Sequence, residues 1–177
     1  SYLSEQIGLP IEGMIGADII RKYNVGIFGT EGMIQFNHLR PAGEIILPVQ
    51  ERACLPVISV FVNGRVRRMF FDTGAPTSLL LPEALEGVES TGRHEDFYSL
   101  LGNFTTDSYC LDVVLGSQRR EFRFGRVPDE LRSMLEVANV DGMLGTELIR
   151  YFGMTLSLRD KTLHLETSHS QVNLATV

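Results

Sequence analysis

The sequence is most informative first in what it has little of. Cys54 and Cys110 are its only cysteines, and they stand at no metal-ligand spacing; a single possible pair is a weak signal of compartment. The four histidines (His38, His94, His164 and His169) are scattered and form no ligand pair, which argues against a structural metal and against a Cys-His nucleophile. No apolar run reaches the length of a membrane span, and no basic-then-apolar leader opens the chain, which leaves its compartment open. Positive charge is also short: the formal net charge is −6, so nucleic acid is a poor candidate for the main partner. The arginine groups Arg65, Arg67, Arg68 and Arg119, Arg120, Arg123, Arg126 read as solvated hairpin faces. Gly-x-Ser-x-Gly, His-Glu-x-x-His and P-loop patterns are all absent.

What is present is an ordinary globular composition, 44% hydrophobic over 177 residues, with 17 glycines. That is enough for one sizeable core or two small ones. Two segments match without a gap. IEGMIGADIIRKYNVGIFGTEGMIQF begins at Ile11 and VDGMLGTELIRYFGMTLSLRDKTLHL at Val140, an offset of 140 − 11 = 129 residues. A repeat at this spacing is a duplicated domain-sized unit and not a solenoid repeat. Each copy reads as an acidic residue, Gly-Met-aliphatic-Gly, then a short helix (Asp18–Tyr23, Glu147–Phe152). Thr146 stands at the N-cap position of the second helix. Asn24 and Gly153 follow, residue types that tolerate a left-handed helix end. A hairpin closes each copy: 25–28 with 33–36, and 154–158 with 162–165.

Between the copies the chain reads almost entirely as strand. Val57–Val62 and Arg65–Phe71 flank Asn63-Gly64, a strong two-residue hairpin signal. Ser78–Leu81 reads as an apolar strand and Pro82–Leu85 as a helical turn. Further hairpins are expected at 97–100 with 104–109 and at 111–115 with 121–124. Leu131, Met134 and Leu135 have helical spacing after Pro128. Many short strands with little helix predict an all-β fold with short helices, closed or sandwiched.

The chemistry centres on MFFDTGAPTSLLLPE, residues 69–83. A carboxylate among apolar residues costs free energy unless it is hydrogen-bonded or has a task. Alone, Asp72-Thr73-Gly74 is weak evidence: chance supplies such a tripeptide in roughly a few per cent of chains this long, and most are plain turns. In context it is more specific. Phe70-Phe71-Asp72-Thr73-Gly74-Ala75 with Leu79-Leu80-Leu81, joined near the lobe's end by Gly142-Met143-Leu144-Gly145 and its helix, resembles the retropepsin-like aspartic peptidases. The resemblance covers about residues 53–167.

It implies a closed, barrel-like β lobe over 46–168, preceded in 1–45 by the C-terminal half of a similar lobe and followed by a tail, 169–177. It implies an endopeptidase acting through a pair of aspartates, with Asp72 as one member and no cofactor or metal. Thr73 would tie two loops together, Gly74 would donate its N–H to the carboxylate, and Ala75 would keep the cleft floor small. Leu144 and Gly145 would pack against the loop. A flap is expected at Phe97–Tyr109, with its tip near Leu101, Gly102 and Asn103 and with Tyr98 as its aromatic residue. The chain departs from the pattern twice. Thr146 stands where retroviral enzymes have a dimer-bracing Arg, and Pro76 stands where Ser or Thr is usual, leaving Thr77 to supply a hydroxyl one residue later. By the repeat offset an aspartate of the earlier copy would lie at 72 − 129 = −57. The partner of Asp72 is therefore expected from a dimer mate, from a complementary half-lobe, or from another part of a two-lobed protein. The substrate would be a peptide or protein. A non-catalytic peptide-binding or dimerisation module of the same fold is the competing expectation.

Overall fold

The computed structural model describes residues 2–37 and 44–167. The expected tail, the end of the first segment near residue 45, and His38 and His169 fall wholly or partly outside these residues. The described chain is mostly strand, with four short helices. In order the elements are α1 (Tyr2–Ile7), α2 (Ala17–Ile20), β1 (Asn24–Phe28), β2 (Met33–Phe36), β3 (Ile45–Arg52), β4 (Leu55–Val62), β5 (Arg65–Phe71) and β6 (Ser78–Leu80). There follow β7 (Gly92–Tyr98), β8 (Gly102–Leu115), β9 (Gln118–Arg126), α3 (Asp129–Ala138), β10 (Gly142–Leu144), α4 (Glu147–Tyr151), β11 (Phe152–Ser157) and β12 (Thr162–Thr167). Strand pairing runs β2-β1-β11-β12-β3-β4-β5-β10-β6-β9-β8-β7. β4 also pairs with β8. The run β4-β5-β10-β6-β9-β8 thereby returns to its own start.

Most elements follow from local sequence. Asn63 and Gly64 both take positive φ, the geometry that matches a two-residue turn to strand twist. Gly116 turns β8 into β9 with a positive φ of its own, while Ser117 keeps a negative one. Proline at the first position opens the 3-10 turn Pro82–Ala84. α3 buries Leu131, Leu135 and Ala138 and ends on Asn139 in the left-handed conformation.

The differences from expectation are instructive. Neither Asn24 nor Gly153 ends a helix in the left-handed region; both lie in strands. Glycine at 153 serves packing instead, since a Cβ there would lie 2.9 Å from the Phe28 ring. Thr146 precedes α4, but its hydroxyl does not cap the helix. The helix of the first copy, α2, spans Ala17–Ile20 and is shorter than the expected Asp18–Tyr23. β3 was not foreseen, because the turn joining it to β4 uses Ala53 and Cys54 at positive φ, where no glycine or asparagine marks it. The strands expected at 104–109 and 111–115 are one continuous strand, β8, paired first with β7 and then with β9.

Two apolar clusters form the core. The larger includes Ile58, Met69, Phe71, Leu111, Phe122, Leu144, Leu148 and Phe152. The smaller includes Val57, Phe70, Ala75, Leu79, Tyr98, Leu131, Leu135 and Met143, and lies beneath the Asp72 loop. Phe70 and Phe71 thus point to different clusters, as alternate residues of a strand must. That alternation anchors the strand entering the loop on both faces.

Candidate active site

β5 carries the chain to Asp72, and β10 fixes where it arrives. β10 runs parallel to β5, with Gly142, Met143 and Leu144 opposite Met69, Phe70 and Phe71. On its other side β10 pairs antiparallel with β6. This placement needs Gly142: a Cβ there would lie 2.3 Å from the Leu79 carbonyl oxygen. Asp141 locks the register. Its carboxylate accepts the Arg68 N–H at 2.7 Å, and its own N–H donates to the Arg68 carbonyl at 2.8 Å.

The backbone N–H of Asp72 donates to the Leu144 carbonyl at 3.0 Å, extending the parallel pairing by one residue. The side chain then turns back on its own loop. Asp72 Oδ1 accepts the Gly74 N–H at 2.8 Å, and Oδ2 accepts the Tyr98 hydroxyl at 3.0 Å. Hydrogen bonds to a carboxylate are stronger than neutral ones and fix its orientation. Burial, and then the adjacent Asp72 carboxylate, push the Tyr98 phenol well above its ordinary range, so it stays a donor.

The rest of the loop is tied to the second motif. Ala75 is buried, and its carbonyl accepts the Thr146 N–H at 2.9 Å. The Thr146 hydroxyl donates to the Pro76 carbonyl at 3.1 Å. Gly145 donates its N–H to the buried Ser78 hydroxyl at 3.0 Å. A Cβ on Gly145 would lie 2.5 Å from the Ala75 carbonyl oxygen, so only glycine permits this approach. Thr146 is therefore a tether where the sequence suggested a helix cap. Burial holds the Glu147 carboxyl above its usual range, although Glu147 accepts the Arg123 N–H at 2.8 Å.

Other residues singled out in the sequence are less closely engaged. Thr73 is exposed and makes no hydrogen bond among the described residues; it borders the same cavity as Asp72 and Gly74. Thr77 does not reach Asp72: its hydroxyl lies 3.3 Å from His94 Nε2, whose Nδ1 lies 2.6 Å from the Ser108 hydroxyl. Tyr98 ends β7, and Gly102 opens β8 at positive φ, so the hairpin turns at residues 99–101. Leu101 packs against the smaller cluster and Asn103 donates to Gln6. No local pattern marks the His94–Ser108 contact, which depends on β7 and β8 pairing in this register. Asp141 was visible only as the acidic residue before Gly-Met.

A cavity of about 670 Å³ opens over the loop. Phe70, Phe71, Asp72, Thr73 and Gly74 line one side, and Met14, Ile15 and Gly16 line another. Among the described residues no three His, Cys, Asp or Glu side chains gather as metal ligands. Cys54 and Cys110 are free and exposed. No helix among the described residues is long and apolar enough to cross a membrane.

Solved structures similar to this chain include a retropepsin-like aspartic protease from Rickettsia conorii, at 22% identity and TM-score 0.49, covering 70% of this chain and 89% of that one. The EIAV protease in complex with an inhibitor matches at 19% identity and TM-score 0.42, covering 54% of this chain and 86% of that one. The foamy viral protease-reverse transcriptase with an RNA/DNA hybrid matches at 16% and 0.41, over 64% of this chain and 13% of that one. No family model matches the chain, and no curated protein matches it.

Proposed function

We propose that this protein is an aspartic endopeptidase in which Asp72 is one member of a water-activating pair and the second carboxylate comes from a dimer mate or a complementary half-lobe. The observation that carries the reading is the holding of Asp72. Its N–H is bound to Leu144 of the second motif, and its Oδ1 to Gly74, at the edge of a cavity large enough for an extended peptide. A plain turn aspartate needs no second motif from 70 residues away.

Two carboxylates about 3 Å apart cannot both ionise, and so they share one proton. The ionised member takes a proton from water as the water oxygen bonds to the peptide carbonyl carbon. The protonated member stabilises the resulting oxyanion, and a proton then passes to the leaving nitrogen as the C–N bond breaks. In this reading Gly74 orients Asp72, Ala75 and Gly145 allow the close loop packing, and Thr73 faces the partner's loop. The hairpin carrying Leu101, Gly102 and Asn103 covers the substrate.

One observation favours a second reading. Tyr98 occupies Asp72 Oδ2, the oxygen left free by Gly74. A carboxylate satisfied in this way suits a non-catalytic module that binds extended peptide by strand addition. Asp72→Asn separates the two. Loss of peptide cleavage with retained folding supports the peptidase; unchanged cleavage removes it. A transition-state-mimicking inhibitor should raise the melting temperature only where a carboxylate pair is formed.

A further inference from the structure

The two matched segments of the sequence meet in space. β1 pairs antiparallel with β11, with Gly26 opposite Thr155. Since 155 − 26 = 129, these two residues are the same position of the two copies. The pairing therefore turns about a local two-fold axis through them. The hairpin registers agree as well. Val25 faces Phe36 and Met154 faces Leu165, with 154 − 25 = 129 and 165 − 36 = 129.

Beyond this shared sheet the copies have different surroundings. β12 continues into β3, and β10 is enclosed between β5 and β6. Among the described residues β2 ends the sheet, with Ile34 62% and Phe36 45% exposed. Gly13–Gly16 belongs to no strand, and Met14 and Ile15 are 73% and 59% exposed. This open segment borders the cavity that holds Asp72.

We infer that residues 2–37 form a docking surface for a half-lobe built like residues 46–129, bearing its own Asp-Thr-Gly-type loop. The inference rests on the carboxylate-pair reading above and names the partner that completes it. Applying the local two-fold to the β5–β10 contact places the incoming strand parallel to Gly13–Ile15. Its aspartate N–H then donates to the Ile15 carbonyl, as that of Asp72 donates to Leu144. Its carboxylate enters the cavity beside Asp72, and its first strand adds to the open edge of β2, as β3 adds to β12. A second copy of this chain does not fit the role. The edge of β11, where another β11 would pair about the same axis, is taken by β1. In such a copy residues 46–129 are already closed by its own Gly142–Leu144.

The test is a tandem protein in which a second copy of residues 46–129 is joined directly to Ser1, restoring the 129-residue spacing. Hydrogen exchange should slow at Gly13–Gly16 and Met33–Phe36 relative to the unfused chain, by tenfold or more. Gly13→Val in the tandem should abolish that protection. In the unfused chain the same substitution is accommodated, because a Cβ on Gly13 meets nothing within 4 Å. An added segment that stays unfolded, or that folds without protecting Gly13–Gly16, overturns the inference. So does a concentration-dependent dimer of the unfused chain that protects the same amides. Cleavage is a separate readout: protection without peptide cleavage leaves the docking standing and removes the peptidase reading.

Discussion

Gly13-Met14-Ile15-Gly16 and Gly142-Met143-Leu144-Gly145 are nearly the same tetrapeptide in opposite surroundings. The second is fully enclosed: Met143 and Leu144 are completely buried, and both glycines stand against backbone carbonyls. The first is exposed, with no strand on either side among the described residues. The difference is not intrinsic preference, since the local sequences agree. It lies in what reaches them from elsewhere in the chain. Residues 46–129 wrap the second copy, and no described residue plays that part for the first. In this chain the second tetrapeptide is enclosed by the strand and loop that carry Asp72, and the first is not.

The comparison is open to direct perturbation. Gly142→Val should cost the most, more than ~3 kcal/mol, because the added carbon meets the Leu79 carbonyl, which cannot rotate away as a side-chain end would. Gly13→Val should change stability by no more than about 0.5 kcal/mol. Denaturant midpoints at fixed m-value measure both. Comparable losses in the two would show that the copies are equally enclosed. Leu144→Ala should cost about 2–5 kcal/mol as a buried truncation, against about 0.5 kcal/mol or less for Ile15→Ala.

Tyr98→Phe tests the contact that has no counterpart in the first segment. It should cost about 1.5 kcal/mol, the lower end for a hydrogen bond to a charged group, because Asp72 is part-exposed. The pH dependence has a definite sign. The folded-state phenol is raised, so its contribution is fully present below about pH 10, the unfolded value. It declines above that as the unfolded phenol ionises. The gap between wild type and variant should therefore narrow above pH 10 in stability measurements.

The smallest effect is expected at Glu147, which stands where the first copy has Asp18. Burial raises its carboxyl, so its ionised form opposes folding and stability rises as pH falls through the folded value. Glu147→Gln should be slightly stabilising at neutral pH. That difference should vanish in acid, where the wild-type carboxyl is protonated. A variant that is instead destabilised near neutrality would show that the bond from Arg123 outweighs the burial cost.

Local sequence determined the turns that glycine or asparagine permits, the helix after Pro128, and the all-β character with its short helices. It also marked Asp72 and the Gly-Met-Leu-Gly segment, because a carboxylate flanked by apolar strand residues and a glycine pair around buried aliphatics are both chemically conspicuous. Tertiary structure decided the rest. The donor to Asp72 Oδ2 is Tyr98, 26 residues away, and not the hydroxyl of Thr77, because β7 must pair with β8 before either side chain has a position. Thr146 became a tether because Ala75 and Pro76 present carbonyls where the helix cap was expected. The unlike environments of the two repeated segments were also beyond sequence alone. Identity between copies fixes what a segment can bury, but only the path of the intervening chain settles whether anything arrives to bury it.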